Sequence, residues 1–182
     1  MVEAILSSER LREPPGQRDL VQSSVLPPTE LTTAAFVFVL DVSGQLLLTR
    51  VADVNRGWDI PGGHREPGED TYITAMRELA EETGYSLPQH DLSVLGWSRN
   101  RFEGTEPPDF PYPWPLNYMV SFWARLPKHR PPVMPPPGSE CVDAAWFTPR
   151  DVVRLCADHG WLPLYIAIVS GMHGERSEAE YR

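Results

Sequence analysis

The chain has 182 residues, 41% hydrophobic and 23% charged, long enough to bury the core of one domain and short for two. A net charge of −9 excludes general affinity for duplex nucleic acid, which needs a basic face to meet the phosphates. Two cysteines, Cys141 and Cys156, stand far apart in no pattern, which argues against a disulfide scaffold or a zinc site and suits a reducing compartment.

Residues 1–30 alternate short apolar pieces with Pro14, Pro15, Pro27 and Pro28, and read as an N-terminal extension that packs on the domain without being its core. "MVEAILSSERLREPPGQRD" mixes acids and arginines where a signal peptide has a clean apolar run. No segment reaches the roughly 20 apolar residues of a membrane span, so a cytoplasmic location with no membrane partner is expected. Residues 31–182 read as the domain itself. There "TTAAFVFVL", the turn signal "DVSGQ" and "LLLTRV" predict a hairpin of buried strands. "WDI" predicts a short strand ending in a sharp turn at Pro61-Gly62-Gly63.

The next element is the most clearly marked helix. Asp70 or Thr71 can cap it, Tyr72, Ala75, Met76 and Leu79 recur at helical spacing, and Gly84 stands where a left-handed residue stops it. At about 100° per residue, Glu78, Glu81 and Glu82 fall within about 100° of one another, on the side expected to face away from Ala75. Three carboxylates are therefore expected to share one exposed patch. Glu78 with Glu82 and Glu78 with Glu81 are like-charge pairs, each unfavourable by roughly 0.2–0.5 kcal/mol. They also sit at the helix end where the peptide dipoles favour a cation.

"LSVLGWSRNRF", "LNYMVSFWARL" and "CVDAAWFT" predict three further strands. In "TPRDVVRLCAD" Thr148 is the expected cap, with Pro149 and Asp151 in the first turn. "WLPLYIAIVSGMH" predicts a last helix, and the polar tail after Gly174 reads as frayed. The order is that of an α/β layered domain. Two segments, "EGTEPPDFPYPWPLN" and "PKHRPPVMPPPGSE", hold half or more of the 20 prolines and are expected to come together at one end of the sheet. Fifteen arginines stand against one lysine, Lys128, on which any Schiff-base chemistry would rest; no phosphate-binding G-x-x-x-x-G-K-[ST] loop exists.

Hard divalent cations prefer carboxylate oxygens, and a helix offers them at i, i+3 and i+4, so Glu78, Glu81 and Glu82 are candidate ligands for Mg²⁺ or Mn²⁺. The Gly62-Gly63 turn lets backbone approach closely, and a main-chain carbonyl there could add a ligand. The competing reading is a solvated acidic helix with Arg77 and Glu81 paired at i,i+4.

The pattern G-x5-E-x7-R-E-U-x-E-E-x-G-U is met by Gly63, Glu69, Arg77, Glu78, Leu79, Glu81, Glu82 and Gly84, with Tyr85 in the last, usually aliphatic, position. Each required residue makes up at most about a tenth of ordinary composition, so chance agreement lies below about one in 10⁸. The stretch resembles the Nudix box of the Nudix hydrolase family. The resemblance implies an α/β fold, the Nudix-type α/β/α sandwich with a mixed β-sheet between helices. It also implies a divalent-metal-dependent hydrolase. The expected reaction is cleavage of the pyrophosphate linkage in a nucleoside diphosphate joined to another moiety: a nucleoside triphosphate, ADP-ribose, a nucleotide sugar or a dinucleoside polyphosphate. Glu78, Glu81 and Glu82 would hold the metal, Glu69 would orient the site, and Arg77 would orient it by salt bridge. Family members often recruit another acid ahead of a late strand carrying an aromatic residue. Glu140, six residues before Trp146, suits that part, the activation of water, with Asp143, Glu103 and Glu106 as rivals; Glu78, Glu81 or Glu82 could serve instead. Family members are often homodimers, a state that none of these motifs demands.

For the substrate, Phe110, Tyr112 and Trp114 could stack on a base or pack the loop, and Arg99 and Arg101 could bind phosphate or ribose or lie on the surface. His64 invites a general-base or metal reading, against which stands its position in a turn that tolerates many residues; His90, His129, His159 and His173 show no ligand spacing. A reading from another class is a nucleotide-sensing module that keeps the fold without cleaving its ligand. The presence of every box glutamate argues against it.

Overall fold

The apolar run after residue 31 has no polar face. In the computed structural model of the protein, which describes residues 3–53, 56–127 and 131–180, with those from 173 as backbone alone, this run is the central strand. Lys128 lies outside the described residues. Strand β3 (Thr32–Leu40) sends Ala35, Val37 and Val39 to one side of the sheet and Phe38 and Leu40 to the other. All five are fully buried, as period-two alternation on a doubly covered strand requires.

The remaining strands are β1 (Ala4–Arg12), β2 (Pro15–Gln22), β4 (Leu46–Val51), β5 (Gly62–His64), β6 (Ser93–Phe102), β7 (Leu116–Arg125) and β8 (Cys141–Phe147). Their order is β1-β2-β6-β7-β3-β4-β8, with β5 beside β3. The β3–β7 pair is parallel and the other pairs are antiparallel, so the sheet is mixed. Helix α1 (Thr71–Thr83) covers one face with Ala75 and Leu79. Helices α2 (Pro149–Leu155) and α3 (Leu162–Glu180) cover the other with Val152, Leu164, Tyr165 and Ile168. This is the expected α/β/α sandwich. Among the described residues no helix is long and apolar enough to cross a membrane.

Three expectations change. The first 30 residues contribute two strands of the main sheet, and Leu20 and Val21 on β2 enter the two cores on opposite faces, 4% and 1% exposed. Pro14 and Pro15 mark the hairpin turn between β1 and β2. The second change concerns "WDI". Asp59 makes a single bridge to Thr49, and the strand forms later, at Gly62–His64. The β3–β4 hairpin pairs at Leu40 and Leu46 and then splays, so residues 59–64 insert between the two strands. Gly62 permits this: a Cβ there would lie 2.6 Å from the Ala35 carbonyl oxygen and 2.7 Å from Phe36 Cα. Helix α3 also runs on past Gly174 to Glu180.

Candidate active site

Helix α1 starts where the Asp70 carboxylate accepts from the Ile73 N–H at 2.9 Å. It stops at Gly84, whose φ of 68° is left-handed and whose N–H donates to the Ala80 carbonyl. Between these ends, Ala75 and Leu79 key the helix into the core, and that decides where the glutamates point. Glu82 stands seven residues past Ala75, so after two turns it returns to within about 20° of it. The expected exposed patch is therefore corrected. Glu78 and Glu82 are buried, at 9% and 5% exposure, and of the three glutamates Glu81 faces outward.

Arg77 ties the surrounding chain together. Its Nε and Nη2 donate to the two oxygens of Glu69 at 2.8 and 3.1 Å, its Nη1 to Glu78 at 2.8 Å and to Glu81 at 3.0 Å, and its Nη2 to the His64 carbonyl at 3.0 Å. Glu69 also accepts from the Glu66 N–H and the Thr74 hydroxyl. Beside that guanidinium, Glu69 is held down at about 2, and Arg77 is pushed above its already high range. The i,i+4 pairing of Arg77 with Glu81 thus exists, as one contact of five.

Glu82 has neutral partners. It accepts from the Gly62 N–H at 3.1 Å and the Thr49 hydroxyl at 3.2 Å, and it meets the Cys141 thiol. Burial lifts it from 4.5 to about 7 and pushes Cys141 up to about 12. Burial raises Glu78 as well, with Arg77 opposing, and the Glu81 and Glu140 charges add to the rise. Gly63 lies directly over Glu78, whose carboxylate a Cβ at that position would overlap.

Glu78, Glu81, Glu82 and Glu140 line one cavity of about 760 Å³ with Gly63, His64 and Arg77. Their oxygens are hard donors of the kind Mg²⁺ or Mn²⁺ takes. A doubly charged ion would also offset the cost of Glu82, a buried carboxylate with no cationic partner among those described, so the donor set fits such an ion. Among the described residues no group of three or more acidic, histidine or cysteine side chains stands, as placed, where it could hold a metal ion; Arg77 bridges Glu78 and Glu81 instead.

Gly62 lies beneath the cavity on Glu82, while Gly63 forms part of its wall. Of the four acids weighed as an additional catalytic group, Glu140 lines the cavity. Asp143 pairs with Arg50 at 3.3 Å, and Glu103 pairs with Arg10 at 2.7 Å. Arg99 and Arg101 are not in its wall: they share one oxygen of the buried Asp19, at 2.9 and 2.8 Å. Phe110 and Trp114 pack with Phe102, the Trp114 ring stacked on it at 5.0 Å. Tyr112 reaches the rim, its hydroxyl 2.6 Å from His64 Nε2 and its ring stacked on the imidazole. The two proline-rich segments therefore approach the same end of the sheet, one through Tyr112 and the other through Pro136, Pro137 and Glu140. Sequence reasoning missed Thr49 and Cys141. A polar residue interrupting the apolar run "LLLTRV" was the available signal for Thr49.

The NUDIX domain description matches residues 30–165 of this chain. A Bacillus subtilis (strain 168) protein provisionally named an 8-oxo-dGTP diphosphatase is 51% identical over 55 residues, which cover 30% of this chain and 36% of that protein. The chain spans little more than a third, at most, of the length of the curated relatives it matches. Among solved structures, the Bacillus subtilis pyrophosphohydrolase BsRppH superposes with a TM-score of 0.62 at 21% identity, over 94% of this chain and 98% of that one. A C. elegans Ap4A hydrolase superposes with a TM-score of 0.56 at 20% identity, over 79% and 98%. At such identities the superpositions establish the fold. With the box residues in register and the family description matched over residues 30–165, the chain belongs to the NUDIX domain family.

Proposed function

We propose that the protein hydrolyses the pyrophosphate linkage of a nucleoside diphosphate joined to another moiety, with Mg²⁺ or Mn²⁺ held by Glu78, Glu81 and Glu82 and by a main-chain carbonyl at Gly62 or Gly63. The observation that carries this reading is Glu82: a carboxylate 5% exposed, with neutral partners, in the wall of a cavity that three other carboxylates also line. Such an arrangement disfavours folding unless a cation joins it. The names of the relatives, a diphosphatase, a pyrophosphohydrolase and an Ap4A hydrolase, support a phosphoric anhydride as substrate.

When bound, the ion neutralises phosphate oxygens and acidifies the attacking water. Glu140, in the cavity wall, takes the proton of that water. Arg77, anchored by Glu69, keeps Glu78 and Glu81 aimed at the cavity and leaves Glu82 to its backbone and hydroxyl partners. Tyr112 offers an aromatic face for the nucleoside at the rim, braced edge-on by Phe110 at 5.7 Å, with Trp114 packed behind. Arg99 and Arg101 together carry one charge more than Asp19 neutralises, an outlying contact for phosphate or ribose on the sheet. A panel of nucleoside triphosphates, ADP-ribose, nucleotide sugars and dinucleoside polyphosphates with Mg²⁺, scored for released phosphate, pyrophosphate or mononucleotide, tests the reading. At least one should be turned over by the wild type, with a loss of about 10²-fold or more in Glu82→Gln. No turnover of any compound, or an unimpaired Glu82→Gln, would contradict it.

A further inference from the structure

Residues 131–141, which lead into β8, are proline-rich, yet hydrogen bonds hold them at four points. Trp146 Nε1–H donates to the Pro131 carbonyl at 3.2 Å. The Met134 N–H donates at 2.9 Å to the Thr83 carbonyl, a last-turn acceptor that α1 cannot satisfy from within itself. Past Pro135, Pro136 and Pro137, the Ser139 N–H closes a turn onto the Pro136 carbonyl at 3.1 Å, through Gly138 at φ 91°. The Ser139 hydroxyl then accepts from the N–H of Cys141, where β8 begins, at 3.1 Å. Glu140 lies between these last two contacts.

Gly84 has a second task here. A Cβ at Gly84 would come 2.6 Å from the Met134 carbonyl oxygen, so the residue that ends α1 also lets this segment cross the helix end. Consecutive prolines restrict φ and reduce the entropy lost in holding the path. One anchor is the helix that carries Glu78, Glu81 and Glu82, and another is the strand that follows Glu140. The segment that bears Glu140 is therefore tied both to that helix and to that strand.

From these contacts we infer that residues 131–141 form a rigid strap that sets Glu140 in the wall of the cavity shared with the box glutamates, with Gly84, Met134 and Trp146 as positioning residues. The inference rests on the hydrolase reading above and on Glu140 as proton acceptor. A displacement of Glu140 by about 1 Å costs on the order of 10²-fold in rate, while metal and substrate contacts elsewhere are unchanged.

Two variants disturb the strap in different ways. Gly84→Asn keeps a residue that tolerates the left-handed conformation, but its Cβ pushes the Met134 carbonyl away. Trp146→Phe keeps a ring and removes the N–H that Pro131 accepts. Each is made alone and together with Glu140→Gln, beside Glu82→Gln, and kcat, KM and the Mg²⁺ concentration for half-maximal rate are measured below the melting temperature of every variant. Gly84→Asn should lower kcat about tenfold or more and Trp146→Phe about threefold or more, with KM and Mg²⁺ half-saturation within about twofold. In the Glu140→Gln background the same substitutions should cost less than about twofold, because the group they position is already gone. Equal losses in both backgrounds, or undiminished kcat in both strap variants, overturn the inference. So does a fully active Glu140→Gln beside an inactive Glu82→Gln, which leaves the hydrolase reading standing. Full activity in Glu140→Gln and Glu82→Gln together sinks the hydrolase reading itself.

Discussion

Glu82→Gln should make the metal-free protein more stable while removing its activity. Glutamine keeps the length of the side chain, and its carbonyl can accept from the Gly62 N–H and Thr49 hydroxyl that now meet one carboxylate oxygen. What it removes is a charge that burial disfavours, as shown by the rise of Glu82 from 4.5 to about 7. An acid whose folded pKa is raised contributes fully to stability below its unfolded value, and that contribution is lost as pH climbs through the folded value. The window therefore runs from 4.5 to about 7, the reverse of the usual carboxylate. The whole loss corresponds to roughly 3 kcal/mol, nearly complete at about pH 8 and under about 1 kcal/mol at about pH 5. For a chain of this size each kcal/mol moves Tm by about 2–4 °C, so Glu82→Gln should melt about 6–12 °C above wild type at the higher pH and within about 4 °C of it at the lower. Thermal unfolding followed by circular dichroism in EDTA at both pH values measures this. Adding Mn²⁺ at the higher pH should close much of the gap, because an ion bound to the native state alone raises the wild-type Tm. A variant that melts at or below wild type at about pH 8 without metal would refute the claim that this carboxylate is held at a cost to the fold.

Gly63→Ala should keep the fold and lose on the order of 10²-fold in kcat, since its Cβ overlaps the Glu78 carboxylate and must turn it; an active variant with native circular dichroism would show that Glu78 need not lie where it does. Asp19→Asn should destabilise by about 2–3 kcal/mol in urea titration, because it leaves Arg99 and Arg101 without their shared counter-ion and weakens the seam from β1 and β2 to β6. An unchanged urea midpoint would mean that the first two strands are held by backbone pairing and apolar burial alone.

The elements legible in the sequence were those whose signals are local. Asp70, Gly84, Thr148 and Pro149 bound their helices as capping chemistry requires, and the near-continuous apolar run in "TTAAFVFVL" marks a strand covered on both faces. The spacing of the box glutamates was legible for the same reason. Their burial was not, because it depends on which stripe of α1 the sheet receives, and Ala75 and Leu79 carry Glu78 and Glu82 inward with them. Residues 1–30 looked peripheral because their apolar positions are sparse; β2 joins the sheet through pairing with β6, some 80 residues away, which no local pattern reports. Arg99 and Arg101 looked free for the same reason, as their partner Asp19 lies on that distant strand. The β5 pairing depends on the splaying of β3 from β4, a property of the assembled sheet.

The most direct test is anomalous diffraction from crystals of the protein soaked in Mn²⁺ at about pH 8. A manganese peak within about 2.5 Å of carboxylate oxygens of Glu78, Glu81 or Glu82, and absent in Glu82→Gln, is the predicted result. A map with no peak in that cavity, Arg77 still joining Glu78 to Glu81 and Glu82 still on its neutral donors, would contradict the account.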